Sequence, residues 1–516
     1  MSLDRLLTWI SDNELLLHPG VSIVQTDSGI AVFSTEAFNH SQRLATIPKR
    51  AVLSVRTCAL SEHVHWAPYG HGAVLALSLA LYSEILRGAQ SRWFGYLQSL
   101  PTTIVPIARL WGHPAAFPDE TDAREACGWT HGTEVQRELQ DNEGASLLTE
   151  IDDYYKSDVE PLLMSHAPGP SLSGFLHAYS LVCSRAFLID AYHGLSMVPI
   201  ADAFNHSQDN HVQLASEYDV CPVCGSLEEC PHDEDAVEGS GSSPPAEDVT
   251  DTVDMLAVRS IPAAVEVFNT YGAHLGNAAL LARYGFIIDG CDADIVTFGW
   301  SGSGLIVGTQ DELVEVCQDV KSGLGLLVDT SSSLYHPGDD GRQTFLSINS
   351  DGQTSLGLFI WAARDITLKG PPSGLQGLAP SAMQYATAEL IIRTFSVLLQ
   401  VEVRGTMDDD EDADPIADFF HSQALQILVQ TAGTISNLCK ARLAQMGQLG
   451  RRSHCAQRLN ELLDTLPPAN SKTRCALEYL LGERAILEAC AAHWEALRET
   501  IGEGSRAELD DGVISD

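Results

Sequence analysis

Basic residues are scarce in this chain of 516 residues, which has 30 Lys and Arg against 69 Asp and Glu and a formal net charge of −39. Proteins that bind nucleic acid concentrate Lys and Arg against the phosphates. The composition therefore argues against nucleic acid as a direct partner. A strongly acidic protein attracts basic proteins over long range, although the same charge also serves simply to keep a chain soluble.

Long hydrophobic runs are also missing. No stretch approaches the 18 apolar residues that suggest a membrane-spanning helix. Met1–Ile10 has neither the basic start nor the uninterrupted apolar segment of a secretory signal. We therefore expect no membrane association and a location in the cytoplasm, the nucleus or both. The hydrophobic fraction of 45% is ordinary for a folded protein, and a chain of this length is expected to form two or three domains.

The spacing of apolar residues changes along the chain and predicts an α+β protein. Short β-branched runs at the start and again after residue 184 predict small sheets, including a strand at Val265–Asn269. Helical spacing predicts a helical insert between these two parts and long helices at Ser381–Val401, Pro415–Met446 and Asn470–Ile501. The predicted divisions are 1–60 and 184–292 for the sheet domain, 61–183 for its helical insert, 217–252 for a polar insert, 300–502 for a mostly α-helical C-terminal domain and 503–516 for an acidic tail.

Four short motifs occur in order along the chain. They are Ser184–Phe187, Ala201–Ser207, Phe268–Gly272 and Arg283–Phe286. Taken singly, each has an ordinary explanation, since a tyrosine is more often a core residue and an Asn-His pair is typical of a turn. Taken together and in this order, they resemble the core of a SET-domain lysine methyltransferase, with 1–60 and 184–290 as the two halves of the domain.

Within that family the chain most resembles the branch of the Rubisco large-subunit methyltransferase and the fungal ribosomal-protein and elongation-factor lysine methyltransferases. The resemblance implies a protein-lysine N-methyltransferase that uses S-adenosylmethionine. It also implies a basic, non-histone protein substrate, such as a ribosomal protein or a translation factor, and a helical C-terminal domain that helps to bind it. Two alternatives remain: a SET scaffold that binds a basic partner without catalysis, and a histone-lysine methyltransferase.

The resemblance also assigns roles to individual residues. Tyr271 corresponds to the catalytic tyrosine, and Phe187, Tyr271 and Tyr284 correspond to the channel for the substrate lysine. The residues expected at the cofactor are Ser28, Gly29, Ile30, Ala31, Ser184, Arg185, Asp202, Asn205, His206, Tyr271 and Tyr284.

Two positions depart from the family pattern. The family usually has a second glycine where Ala31 stands, and Gly-Glu where Ala264 and Val265 stand. Glycine at such positions serves tight turns or close backbone approach. Because alanine is the mildest replacement, we expect altered loop geometry and retained cofactor binding.

Three of the 12 cysteines lie close together inside the polar insert. Cys221, Cys224 and Cys230 are followed by His232, and a Cys₃His set is a common tetrahedral zinc site. We predict a structural zinc ion at these residues, because a polar insert cannot bury a core of its own. His211 is an alternative fourth ligand. Reduced thiols or a redox-active Cys-x-x-Cys pair are the alternatives to a metal.

Overall fold

The computed structural model describes most of the chain. The described residues are 3–26, 29–118, 121–141, 143–166, 169–227, 230–232, 251–299, 310–324, 334–336, 346–369, 380–405, 422–447 and 455–511. The predicted cofactor residue Ser28, the linker-like segment 239–245 and the end of the acidic tail, 512–516, lie outside them.

The strands in the described residues are short. They are β1 Leu16–Leu17, β2 Val21–Thr26, β3 Gly29–Ser34, β4 Arg43–Pro48, β5 Leu53–Ser54, β6 Ala186–Leu188, β7 Leu195–Met197, β8 Val212–Ser216, β9 Thr252–Ala257, β10 Ile295–Thr297, β11 Tyr335–His336, β12 Ser347–Asn349 and β13 Thr354–Ser355.

The α-helices range from one turn to more than ten. They are α1 Leu3–Asp12, α2 Gly70–Arg87, α3 Phe94–Leu97, α4 Thr121–Trp129, α5 Glu134–Glu138, α6 Leu147–Tyr154, α7 Glu160–His166, α8 Leu172–Arg185, α9 Asn277–Arg283, α10 Gln310–Leu324, α11 Leu356–Lys369, α12 Pro380–Gly405, α13 Ser422–Gln445, α14 Ala456–Thr465 and α15 Ser471–Asp511.

The chain divides into two compact units. Unit 1 comprises 1–120, 146–275 and 279–286, and unit 2 comprises 121–145, 276–278 and 287–516. This differs from the predicted division, because 121–145 belongs to unit 2 and not to the helical insert of the sheet domain. The predicted acidic tail also differs, since helix α15 continues to Asp511.

The described part of unit 1 contains three small sheets. Their strand orders are β1-β4-β9-β8, β5-β7-β6 and the hairpin β2-β3, and all their pairings are antiparallel. Helices α2 and α8 pack on each other beside the sheets and contribute much of the core. Helix α2 is long and apolar enough to cross a membrane by composition alone, but 61% of its most apolar stretch is buried inside the protein. It therefore serves as a core helix.

Two local predictions in unit 1 are wrong. The first residues form helix α1 and not a strand, because Leu6, Trp9 and Ile10 recur at helical spacing and are buried. The predicted strand Val265–Asn269 is not a regular strand. The segment runs beside β3 and bonds to it through isolated backbone hydrogen bonds, such as Val267 N–H to Val32 O at 2.8 Å. It then leaves β3, and Asn269 donates to Asn205 O.

Unit 2 combines a sheet in the order β10-β12-β13-β11 with helices α10 to α15. The three long helices predicted there are present, but α12 and α15 run four and ten residues beyond their predicted ends, and the predicted start of the second helix, 415–421, lies outside the described residues. Helix α14 is not predicted by the sequence pattern. Helices α13 and α15 pack along each other and, with α11 and α12, carry most of the buried side chains of this helical region.

A buried ionic network ties residues 121–145 into unit 2. The fully buried Arg442 donates to Glu134 at 3.2 Å and to Glu483 at 3.4 Å. Glu134 also accepts from the backbone and hydroxyl of Thr297, at 2.9 and 2.7 Å. Glu483 accepts from the Tyr479 hydroxyl at 2.8 Å. Burial of several charges requires such pairing, so this network explains why helix α5 joins the helical unit.

Candidate active site

The centre of the site is a cluster of aromatic rings. Tyr271 stacks on Tyr284 with ring centroids 4.7 Å apart and on His206 at 5.1 Å. Phe286 meets Tyr271 edge-on at 6.4 Å. The structure therefore brings together three residues that come from three separate motifs, and it adds Phe286, which sequence analysis did not assign to the site.

Backbone hydrogen bonds hold the two central motifs side by side. Asn269 donates its N–H to Asn205 O at 2.8 Å, and Ser207 donates to Asn269 O at 3.0 Å. Tyr271 N–H donates to Nδ1 of His206 at 3.1 Å. These bonds fix the position of the Tyr271 ring relative to the Asn-His pair, although the two motifs are far apart in the sequence.

A strained backbone precedes the Asn-His pair. The fully buried Ile200 has φ of +75° and leads directly into a short 3₁₀ turn, Ala201–Ala203. Positive φ is a true outlier for a β-branched residue, and such strain persists only where surrounding structure enforces it. Here it turns the chain so that the Asp202 carboxylate lies inside unit 1.

Asp202 is held by two donors. The Tyr96 hydroxyl donates to its carboxylate at 2.9 Å, and Nη1 of Arg185 lies 3.6 Å from the same oxygen. Nη1 of Arg185 also donates to the Asp202 backbone carbonyl at 2.9 Å. Burial raises the pKa of Asp202, while Arg185 and Tyr96 oppose that rise. The carboxylate therefore positions Arg185.

A small cavity of about 50 Å³ opens beside these groups. Its lining residues are Ser184, Arg185, Ala186, Phe187, Asp202, Thr270, Tyr271 and Tyr284. The predicted channel residues Phe187, Tyr271 and Tyr284 thus share one cavity with three of the predicted cofactor residues. The hydroxyl of Ser184 donates back to Ser180 O at 2.8 Å within helix α8, so its side chain is already satisfied there.

The other predicted cofactor residues that the structure describes do not line this cavity. Asn205 donates from its side chain to Glu266 at 2.7 Å, and His206 forms one wall of the aromatic cluster. Gly29, Ile30 and Ala31 lie in strand β3, where Ile30 and Ala31 are buried.

Burial controls the protonation of the aromatic cluster. It raises the pKa of Tyr271 to about 12 and also raises that of Tyr284. Both hydroxyls are therefore protonated at neutral pH. Burial lowers the pKa of His206, and since its Nδ1 accepts the Tyr271 N–H, the neutral ring carries its proton on Nε2.

Two buried donors at the site lack a hydrogen-bond partner among the described residues. They are Nε of Arg185 and Nε2 of His206. Buried polar groups in native proteins are normally paired, and exceptions mark functional positions. Both groups donate, so the site is suited to a ligand that presents acceptor atoms.

Besides Phe286, three site residues escaped sequence analysis. Tyr96 comes from the helical insert and reaches Asp202 across 106 residues of chain. Thr270 lines the cavity next to Tyr271, and Glu266 holds Asn205. Thr270 and Glu266 lie in or beside a recognised motif and could have been proposed for that reason, whereas no local pattern marks Tyr96.

The departure at Ala264 is visible in the backbone. Ala264 has φ of +60°, a left-handed conformation that costs an L-residue roughly 1–2 kcal/mol and that glycine adopts freely. Its N–H donates to Ser34 O at 2.9 Å, which fixes this conformation against strand β3. The chain thus carries an alanine at a position that is better suited to glycine. Ala31, by contrast, lies in a regular strand.

The predicted metal ligands form one cluster. The ligand atoms of Cys221, Cys224, Cys230 and His232 all lie within 4.8 Å of one another. Adjacent pairs are separated by 3.7 Å (Cys221–His232), 3.6 Å (Cys224–Cys230) and 3.5 Å (Cys230–His232). Sulfurs about 2.3 Å from a tetrahedral zinc ion lie about 3.8 Å apart, so the cluster could hold a metal ion.

The backbone around this cluster favours a thiolate. N–H groups of Cys224 and Val223 lower the pKa of Cys221 to about 6, and the thiolate is the form that binds metals. The alternative ligand His211 points elsewhere, because its Nδ1 accepts the Phe268 N–H at 3.1 Å. His232 is therefore the histidine of the cluster.

One buried lysine fastens both ends of the polar insert to unit 1. Nζ of Lys49 lies 2.7 Å from the buried Asp190, donates to Glu217 O at 3.1 Å and lies 3.3 Å from Asp251. Glu217 and Asp251 stand at the two ends of the insert that carries the metal-binding cluster. The insert therefore leaves and re-enters the domain at a single point.

Comparison with known proteins supports this architecture, although no family model matches the chain. Ribosomal lysine N-methyltransferase 3 of Saccharomyces cerevisiae is 32% identical over 333 residues, which cover 52% of this chain and 59% of the relative. N-lysine methyltransferase SETD6 of Bos taurus is 26% identical over 289 residues, covering 54% of this chain and 56% of the relative. The chain thus spans less than two thirds of either relative.

Solved structures match over the whole chain. The SET domain of LSMT bound to lysine and AdoHcy and the structure of Rubisco LSMT bound to AdoMet each align with a TM-score of 0.57 at 15% identity. They cover 100% of this chain, which in turn covers 96% and 98% of theirs. The predicted SET domain followed by a helical region is confirmed. The chain therefore has the fold of the SET-domain structures of LSMT.

Proposed function

We propose that this protein is a protein-lysine N-methyltransferase that uses S-adenosylmethionine. The observation that carries the proposal is the cavity in which Phe187 and the stacked Tyr271 and Tyr284 adjoin Arg185 and Asp202. Its narrow aromatic wall suits the aliphatic stem and amine of a lysine. The polar end, with its guanidinium and hydrogen-bonded carboxylate, suits a charged cofactor.

The residues present fit S-adenosylmethionine, whose positively charged sulfonium supplies an activated methyl group. Nε of Arg185 is a buried donor without a described partner and would meet a carboxylate. Nε2 of His206 would meet an acceptor on the adenine or the amino-acid end. Asp202 would act through Arg185, because it accepts from Tyr96 and holds the guanidinium in place.

Methyl transfer requires a neutral lysine amine, although the ordinary lysine pKa is about 10.4. Insertion into the cavity beside the aromatic rings removes water from the amine and so lowers its pKa. Tyr271 stays protonated, because burial raises its pKa to about 12. Its hydroxyl therefore orients the amine as a neutral hydrogen-bonding group and does not act as a phenolate base. Tyr284 stacks on Tyr271 and limits the width of the channel.

A non-histone substrate in the translation machinery, either a ribosomal protein or a translation factor, is the substrate class that we propose. Two observations support it: the name of the Saccharomyces cerevisiae relative and the net charge of −39, which attracts basic proteins over long range.

A structural zinc ion at Cys221, Cys224, Cys230 and His232 completes the proposal. The separations of the ligand atoms suit tetrahedral coordination. The ion would hold the polar insert in place and take no part in methyl transfer.

The test is transfer of a radiolabelled methyl group from the cofactor to proteins of a cell lysate. The wild type should label a small number of basic proteins, whereas Tyr271→Phe should label them far more slowly. Tyr385→Phe, at an exposed tyrosine in unit 2, is the matched control and should behave as the wild type. Cofactor binding is measured in parallel by calorimetry.

The outcomes separate the candidate functions. If the protein binds the cofactor but no lysate protein becomes labelled, catalysis is refuted. If the protein does not bind the cofactor, a scaffold that only binds a basic partner is favoured. Labelling confined to histones would refute the proposed substrate class while leaving the reaction intact.

A further inference from the structure

We propose that an aromatic and acidic surface beside the metal-binding insert binds the basic segment of substrate that flanks the target lysine. This inference rests on the proposed methyltransferase function and adds to it a site of substrate recognition. The surface consists of Tyr69, Tyr218 and Val223 with the carboxylates of Glu217 and Asp219, and it is called the tyrosine surface below.

The apolar members of this surface are unusually exposed. Tyr69 is 63%, Val223 58% and Tyr218 39% exposed. The hydroxyls of Tyr69 and Tyr218 share a hydrogen bond at 2.6 Å, so the two rings are neighbours although they come from distant parts of the chain. Val223 lies within the Cys221–Cys224 turn, a few residues after Tyr218. Contiguous exposed apolar groups of this kind mark interaction sites.

The metal-binding turn that carries Val223 packs on a stack of side chains. The guanidinium of Arg56 lies over Trp66 at 4.7 Å and over Tyr192 at 5.6 Å. Gly225, with φ of +77°, packs so closely on Tyr192 that an added Cβ would lie 2.9 Å from its ring. The metal-binding turn therefore rests on an ordered stack of side chains. Rigid aromatic groups bind with little loss of conformational entropy.

The charge of the tyrosine surface favours a basic partner. Glu217 and Asp219 flank Tyr218 on both sides and are exposed. The nearby basic groups face inward, since Lys49 is buried against Asp190 and Arg56 is stacked between two rings. Aromatic rings with adjacent carboxylates recognise Lys or Arg together with an apolar side chain.

The tyrosine surface is connected to the cavity by the β6–β7 hairpin. Phe187 of β6 lines the cavity, and Ala191 in the hairpin turn donates its N–H to Tyr218 O at 3.3 Å. Four residues of extended chain span at most about 13 Å. An extended substrate peptide covers that distance in about four residues. The tyrosine surface is thus placed to contact side chains about four positions from the target lysine.

The experiment measures peptide binding directly, without cofactor. The probe is a fluorescein-labelled peptide with one central lysine, arginines on both sides, and leucines about four residues from the lysine in each direction. Its dissociation constant is measured by anisotropy for the wild type, Tyr218→Ala and Glu217→Lys. Asp12→Lys, which makes the same charge change on helix α1, is the matched control. A second probe has serine in place of the leucines.

We expect Tyr218→Ala to weaken binding of the leucine probe by about tenfold, as for a central aromatic contact. It should weaken binding of the serine probe less, because that probe keeps the contact of its arginines with the ring and lacks the contact with leucine. Glu217→Lys should weaken binding of both probes, and more so at low salt. Asp12→Lys should stay within about twofold of the wild type.

Three results would overturn the proposal. They are failure of the wild type to bind the leucine probe, equal weakening by Asp12→Lys and Glu217→Lys, and self-association that Tyr218→Ala abolishes, which would assign the surface to a second copy of the chain. Because the assay needs no methyl transfer, a failure of the proposed enzyme activity is detected separately in the lysate experiment.

Discussion

Replacement of Glu483 by glutamine should make unit 2 more stable at neutral pH. Glu483 is fully buried, accepts from Tyr479 and from the backbone of Glu134, and shares Arg442 with the Glu134 carboxylate. Burial raises its pKa from 4.5 to about 7, with the Glu134 carboxylate adding to the rise and Arg442 opposing it. Two carboxylates thus compete for one guanidinium.

The sign of the effect follows from proton binding. Because the folded pKa lies above the unfolded one, the native state keeps a proton that the unfolded chain releases as the pH rises from 4.5 to about 7. The free energy of unfolding therefore falls across this range. At about 1.4 kcal/mol per pH unit the wild type loses about 3 kcal/mol of stability over this range. This is an upper bound on the gain from Glu483→Gln, because the variant also loses one of the two carboxylate partners of Arg442.

The assay is urea unfolding, followed by circular dichroism, at a series of pH values from 4.5 to 8. Glu483→Gln should match the wild type at pH 4.5, where both side chains are neutral. It should exceed the wild type by about 1–3 kcal/mol at pH 7.5. Glu478→Gln, on the same helix with an exposed carboxylate 4.0 Å from Arg474, is the control and should show no such gain.

The opposite result would refute this reasoning. If Glu483→Gln is less stable than the wild type at pH 7.5 but equal to it at pH 4.5, Glu483 is ionised in the native state and Arg442 stabilises it. Both carboxylates would then be ionised in the native state and stabilised by the guanidinium of Arg442, and Glu483 would retain no proton.

Three further predictions concern unit 1. Ala264→Gly should raise the free energy of unfolding by about 0.5–1 kcal/mol in urea titrations, because glycine relieves the left-handed strain but is more disordered when unfolded; no gain would contradict the strain. Tyr96→Phe should cost about 1–3 kcal/mol by removing a donor from the buried Asp202 carboxylate, and calorimetry should show weaker cofactor binding. Cys224→Ser should remove bound zinc in metal analysis and lower the unfolding temperature, whereas Cys455→Ser, at an exposed cysteine in unit 2, should do neither.

The order of motifs was sufficient to predict the centre of the site. His206, Tyr271 and Tyr284 do stack, and backbone hydrogen bonds between the first two motifs hold His206 beside Tyr271. The metal cluster was also predictable, because its four potential ligands lie in one short polar segment and a shared metal ion would bind them all. Sequence could not choose between His211 and His232, because that choice depends on which ring already has a partner.

The remainder depended on contacts that leave no local pattern. Tyr96 meets Asp202 only after the insert has folded back on the sheet domain. Residues 121–145 read as part of a helical insert, yet the buried Glu134 pairs with Arg442, more than three hundred residues away. The positive φ of Ile200 has no signal in the side chain itself, since β-branched residues normally avoid it.

Because both ends of the polar insert meet at Lys49, the rest of the domain can keep its structure whatever the length of the insert. Since Glu217 and Asp251 meet at the same ammonium group, the chain between them is a closed excursion. Its length can change at an entropic cost that grows only with the logarithm of loop size. Related chains could therefore lengthen, shorten or replace this segment without disturbing the geometry of the aromatic cluster. The same junction is a natural place to graft a foreign domain or a fluorescent reporter into the protein.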